Sequence, residues 1–170
     1  MGQALWPAVA ESWFLKIDGI EGDSLDKVHK GEIDVESWSW GVVHEGSPGP
    51  GGGGGGAGRA SFQDFHFVAK ISQASPQLFL SCATGVHHKD ATLSGRRAGG
   101  DKTSGDFLKY KLSDVQVTSV QHAQGGSDLP IEQFSLGYGR FDITFTPQKP
   151  DGSPGSPISA GFDVKLNKKL

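Results

Sequence analysis

The chain has 170 residues with 16 basic and 19 acidic side chains, a formal charge of −3, and so has no basic footprint for holding nucleic acid. No window approaches the ~20 apolar residues of a membrane-spanning helix, and the single cysteine excludes an internal disulfide and fits folding in a reducing compartment. The length suits one domain, large for an all-β fold, while 26 glycines and 35% apolar residues fit long loops or burial completed by neighbouring subunits.

Residues 1–12 read as a flexible N-terminal arm. They start Met1-Gly2-Gln3-Ala4-Leu5-Trp6-Pro7, without the positive n-region or apolar run of a conventional secretion signal. The expectation is a protein made in the cytoplasm that leaves the cell only through a dedicated machine. Trp13 to Ile17 alternates and predicts the first strand. Turn signals at Asp18-Gly19 and Glu21-Gly22-Asp23 lead into a polar loop. A second strand runs from Ile33 to Trp40, but its apolar parity slips: Ile33 and Val35 share one face, Trp38 and Trp40 the other. A one-residue bulge near Glu36-Ser37 would return both pairs to one face.

Gly46 to Gly58 holds nine glycines and two prolines and can form no core of its own. Beyond it, Phe62 is out of phase with Phe65 and Phe67. The sequence from Ser75 to Gly85 predicts a helix. Ser75 is placed to cap it, Pro76 sits where a missing N–H does no harm, and Gly85 ends it in a left-handed conformation. Leu78, Phe79, Cys82 and Ala83 give it one apolar face. Ten residues are too few to be stable alone, so the helix must pack against the rest.

Two further phase slips follow. Leu108, Tyr110 and Leu112 disagree with Val115 and Val117; Phe134, Leu136 and Tyr138 disagree with Phe141, Ile143 and Phe145. Four long strands with a mid-strand slip predict a strongly bent sheet or closed barrel. Pro147 to Pro157 reads as a long hairpin connection, and Phe162 to Leu166 as the last strand. The fold class is therefore mainly β: a strongly bent, two-sheet β-barrel with one short α-helix at about Ser75 to Thr84, in a single domain over residues 13–170.

Tests for chemistry mostly fail. The glycine run is followed by Arg59-Ala60 and a strand, not by the Lys-Ser/Thr and helix of a phosphate loop. After Gly95 to Gly100, Asp101 stands where that lysine should be and would repel an anion. His87 and His88 are adjacent and would point to opposite faces of a strand, so they read as solvated loop residues and not a metal site. His29, His44, His66 and His122 are scattered and read as surface or hydrogen-bonded residues. Cys82 lies on the apolar helix face as a small core hydrophobe. Asp34 and Glu36 share one strand face, which suits a solvated surface better than acid–base work. No nucleophile elbow is present. The expectation is no enzyme, no cofactor and no metal. Trp38 and Trp40 read as core or subunit-interface residues ahead of a ligand platform.

Several motifs together carry a resemblance. Phe14-Leu15-Lys16-Ile17, His29-x-x-Glu32-Ile33-Asp34-Val35 and Trp38-Ser39-Trp40-Gly41 are followed by the glycine run and Gln63-Asp64-Phe65. Then come the Ser75–Gly85 helix, Arg97-Ala98-Gly99-Gly100 and Thr146-Pro147-Gln148-Lys149-Pro150-Asp151-Gly152. In this order, over about residues 13–168, the chain resembles the Hcp (hemolysin-coregulated protein) family, the inner-tube proteins of bacterial type VI secretion systems. The resemblance implies a β-barrel subunit that forms six-membered rings, stacked into a tube that a contractile sheath expels beneath a spike protein. It also implies small effector proteins held in the ring lumen, with Ser39 facing them. The implied partners are further copies of the chain, the spike, the sheath and effectors. The protein would assemble in the bacterial cytoplasm and be secreted without a cleaved signal peptide.

A ring needs contacts between different faces of neighbouring copies, and strand edges covered in that way cannot polymerise at random. The glycine run from Gly46 to Gly58 is then expected to mediate contact between stacked rings, its glycines letting the backbone adapt. Competing readings are a stand-alone β-barrel that binds ligand on Trp38 and Trp40, a cysteine- or metal-dependent hydrolase using Cys82, and the tube subunit of another contractile, phage-tail-like machine.

Overall fold

The computed structural model describes residues 11–45, 58–97, 105–126 and 129–170. In chain order its elements are β1 (Glu11–Ile17), β2 (Ile33–Ser39), β3 (Val42–His44), β4 (Ala60–Phe62), β5 (Phe65–Lys70), α1 (Ser75–Thr84), β6 (His87–Arg97), β7 (Gly105–Ala123), β8 (Ile131–Gly137), β9 (Arg140–Phe145), β10 (Ile158–Asp163) and β11 (Lys168–Lys169). Alternation in the first segment does produce β1, which starts at Glu11, two residues inside the stretch read as an arm.

Six strands close into an antiparallel barrel in the order β1-β2-β5-β8-β7-β6, with β6 returning to β1. The first half of β7 pairs on its other side with β9, from which β10 and β11 continue as a blade. β3 and β4 form a separate two-stranded hairpin. Inward residues such as Leu15, Ile33, Phe65, Phe67, Leu112 and Phe134 fill the barrel, and Leu78 of α1 joins them fully buried.

Two of the four phase slips are bends within a strand. In β2 the register shifts between Val35 and Ser37, so Val35 and Trp38 both face the core. In β7 the slip falls where the strand changes partners. Residues 108–113 pair with β9 and residues 116–123 with β8, and Asp114 between them adopts a φ of 53°. A left-handed conformation at a non-glycine residue costs roughly 1 kcal/mol or more. The Asp114 carboxylate lies 2.9 Å from His87 Nδ1 and accepts from Lys165 Nζ, which anchors the bend.

The other two slips are breaks between strands, not bends. Gln63-Asp64 separates β4 from β5, and Tyr138-Gly139 separates β8 from β9, so parity is reset by a turn. The last strand also differs from expectation: β10 ends at Asp163. Its carboxylate accepts from the backbone N of Leu166 (2.7 Å) and from Arg140 (3.1 Å), and with Asn167 at φ 52° this pulls residues 164–167 into a turn. The 146–157 connection is the hairpin loop expected between β9 and β10.

The helix occupies the predicted residues and ends on left-handed Gly85 at φ 69°, but Ser75 does not cap it. Ala74 holds the cap position without a side-chain bond. Ser75 lies one step inside: its Oγ accepts from the Ser72 N–H (3.0 Å) and donates to buried Glu132 (3.1 Å). The buried face is Ser75, Leu78 and Ser81, while Phe79 and Ala83, expected inside, are exposed. The serines can turn inward because each finds a partner, Glu132 for Ser75 and His88 for Ser81.

Candidate functional site: the outward face of the Trp-Ser-Trp sheet

The side-chain period of two divides the Trp38-Ser39-Trp40 segment between the two faces of the barrel wall. Trp38 and Trp40 turn inward and are half-buried. Trp38 meets Trp13 edge-on at 5.0 Å and Tyr110 at 5.1 Å, and Trp40 stacks on Phe65 at 5.2 Å and 7°. The Trp40 indole N–H donates to the Tyr138 hydroxyl (2.5 Å), which donates in turn to the Gln63 carbonyl (2.8 Å). Burial pushes the Tyr138 phenol above its usual range, so it remains a neutral donor.

Ser39 points the other way and is exposed. The register sets it opposite His66, His66 opposite Ser135, and Ser135 opposite Ser119, a polar row across four strands. Ser119 and Thr118 reach Ser135 at 2.5 and 2.7 Å, and Thr118 also donates to Asp64 at 2.7 Å. The next row outward is Ser37, Val68, Gln133 and Gln121. His66, Val68, Ser119, Gln121 and Gln133 line a shallow hollow of about 230 Å³. Hydroxyls, carboxamides and one imidazole make this face able both to donate and to accept. The fixed charges stand at its borders: Glu36 with Lys70 at 3.9 Å, and Asp64.

Among the described residues no three His, Cys, Asp or Glu side chains gather as a metal site. His87 and His88 begin β6 and are not loop residues. His88 is held between the Asp18 carbonyl (2.8 Å) and Ser81 Oγ (3.1 Å). His29 is buried, stacked on Phe14 at 4.6 Å, with its ring nitrogens each 2.8 Å from a carboxylate, Glu32 and Asp106. His122 reaches fully buried Glu132 at 2.6 Å. Cys82 is half-buried against the core. Asp34 and Glu36 are exposed, and Glu36 sits at the β2 bulge itself. Of the glycine run only Gly58 lies within the described residues. The run connects β3 to β4, and a Cβ on Gly58 would sit 1.9 Å from the Glu45 carbonyl oxygen, so the neck of that hairpin is closed too tightly for a side chain.

Sequence reasoning singled out Ser39 but not His66, Ser119, Gln121, Gln133 or Ser135 beside it. Strand parity was the available signal: in β5 and β8 the residues alternating with buried phenylalanines are the outward ones.

The barrel fold is matched in known proteins. Residues 14–145 match the family described as "Type VI secretion system effector, Hcp". This chain belongs to the Hcp family. It is 38% identical over 161 residues to Protein hcp1 of Pseudomonas aeruginosa, which covers 94% of this chain and 98% of that protein. Among solved structures, Hcp1 from Salmonella typhimurium is 34% identical with a TM-score of 0.76, covering 95% and 99% of the two chains. A type VI secretion system effector from Yersinia pestis is 33% identical with a TM-score of 0.71, covering 89% and 99%. An Hcp protein is a secreted β-barrel component of the type VI system, a structural protein. Among the described residues, no helix is long and apolar enough to cross a membrane.

Proposed function

We propose that this Hcp protein is the inner-tube subunit of a type VI secretion system. Six copies form a ring, and rings stack into the tube expelled with the spike by the contractile sheath. The outward face of β2, β5, β8 and β7 lines the lumen, where Ser39 and its row contact small effectors. Trp38 and Trp40 fix this wall from behind, and the Gly46–Gly58 connection touches the next ring. Residues 13–170 act as one domain behind an N-terminal arm. The work is assembly, not catalysis.

The observation that carries this reading is the exposed, hydrogen-bonding Ser39–His66–Ser119 face, with buried Ser135 bonded beneath it, on a chain of this family. A surface without fixed charge can touch many cargoes without repelling either sign. The deciding experiment is the native mass of the purified protein with electron microscopy. Six times 17.9 kDa, or 107.4 kDa, with annular particles is expected. A monomer at every concentration would overturn the reading. For the lumen role, Ser39→Asp should leave the ring mass unchanged and weaken co-purification of effectors; unchanged co-purification removes Ser39 from that role.

A further inference from the structure

Residues 21–32 fold back over the outside of the barrel as a strap. The Gly22 N–H donates to the Gly31 carbonyl, that of Gly31 to Ser24 and that of Ser24 to Glu32, so the two arms of the strap pair with each other. At its tip the Asp26 carboxylate accepts from the backbone N–H groups of Val28 and His29. Under the tip lies Phe14. It alternates along β1 with Trp13 and Leu15, which face the core, and is 5% exposed although it takes no part in the core cluster. The His29 ring, stacked on it, is its cover.

Beyond Phe14 the same ring reaches Asp106 at the start of β7 through Nε2, while Nδ1 meets Glu32 of the strap, each at 2.8 Å. A neutral imidazole has one N–H and one lone pair. Contacts of this length to two carboxylates therefore need two protons among the three side chains. With a single proton, a lone pair would face a carboxylate oxygen in a buried place, which is costly. Other charges approach from each packed element. Lys109 of β7 pairs with Asp106 at 3.2 Å, Lys16 of β1 acts on Glu32, and Arg96 of β6 acts on Asp26. Asp34 of β2 and Asp23 of the strap lie on the Asp26 side. Among the described residues, Lys27 and Lys30 of the strap are exposed and form no ion pair.

From this geometry we infer that His29, Glu32 and Asp106 form a proton-dependent clasp, which fastens the strap to β7 while they share two protons and opens when one leaves. The Asp106 side is the one that parts, because Glu32 travels on the strap with His29 and Asp106 keeps Lys109 as a partner. The tip then lifts and bares Phe14 on the outer wall. Proton binding closes the clasp, so closure holds on the acid side of that proton loss and disappears as pH rises through it.

Hydrogen exchange read by mass spectrometry on the full chain tests this, at a series of pH values from about 6 to about 9 with the intrinsic exchange rate divided out. Protection of residues 24–32 should fall by about tenfold or more across that range, the loss of one charge-assisted hydrogen bond, while β5 and β8 keep theirs. Asp106→Asn should abolish the fall and hold the strap closed throughout, because its amide N–H can donate to the lone pair of the neutral ring. Were the contact only a structural ion pair, that variant would be looser at every pH. Constant protection in wild type, or an undiminished fall in Asp106→Asn, overturns the clasp. If Asp106→Asn fails to fold, His29→Gln decides, since its side chain has no proton to lose. Its strap should exchange equally at every pH, and a fall like that of wild type overturns the inference.

Discussion

Gly95 lies directly opposite Trp13 in the β1–β6 ladder, and a Cβ built on it would stand 2.5 Å from the indole. The ring cannot swing away, because Trp38 meets it edge-on at 5.0 Å and Phe107 at 5.7 Å. Gly95→Ala should therefore destabilise the fold by overpacking, about 1–3 kcal/mol. A lower urea midpoint at unchanged slope would check this, and a midpoint equal to wild type would show that the indole has room.

His29 is set between Glu32 and Asp106 in that buried cluster, with Lys109 reaching Asp106 from outside at 3.2 Å. Burial pushes the Glu32 carboxyl above its ordinary 4.5, and the His29 hydrogen bond and charge oppose that push. His29→Ala removes the opposition and should cost about 2–3 kcal/mol at neutral pH. A carboxylate whose folded pKa is raised favours folding in its protonated form, and that contribution is lost as pH rises through the folded pKa. The deficit of the variant should hence be largest above the carboxylate range and shrink as pH falls through it. Paired urea titrations at neutral and acid pH would read it.

Asp34, opposite Phe14 in the β1–β2 ladder, gives a second pH signature. Its carboxyl is pushed above 3.8, first by partial burial and then by the charges of Asp23 and Asp26. Folding is thus favoured while Asp34 is protonated and disfavoured as it ionises. Asp34→Asn should stabilise the protein slightly at pH 7, by no more than about 0.5 kcal/mol given its exposure, and should change nothing at pH below the carboxylate range. A thermal melt at each pH would show it; equal stability at pH 7 would mean that the three carboxylates do not interact in solution.

The β3–β4 hairpin holds the glycine run by a neck pairing Val42 with Phe62 and His44 with Ala60. Phe62 packs on Phe141 and Phe162 of the blade, at 5.6 and 5.3 Å. Replacing the run by a short turn should consequently leave subunit and ring unaltered and stop rings stacking into tubes. Electron microscopy of the shortened protein would separate the outcomes: continued tube growth, or loss of the rings themselves, would remove the stacking role.

Legibility in the sequence followed a physical line. Bends came through where they leave a local mark: the Ile33–Trp40 parity fault marks the β2 bulge, and the Leu112–Val115 fault marks Asp114. The same fault at Phe62–Phe65 and at Tyr138–Phe141 marks turns, because parity alone does not distinguish a bulge from a two-residue break. Helix extent was legible from Pro76 and Gly85, but its orientation was not. Hydrophobicity predicts burial of Phe79 and Ala83; which face turns inward was decided by Glu132 and His88, partners far away in sequence. Of the polar face, only Ser39 was singled out, and that through the family resemblance. The residues beside it come from β5, β7 and β8, and their adjacency depends on registers that no local pattern specifies.

β7 is bonded on one side to β6 and on the other first to β9 and then, past Asp114, to β8. Barrel and blade thus share a strand and cannot come apart without losing it from both. Such a subunit has no half-open state with a bared strand to catch on its neighbours. It should melt as one cooperative unit, a property that suits the tube subunit proposed above.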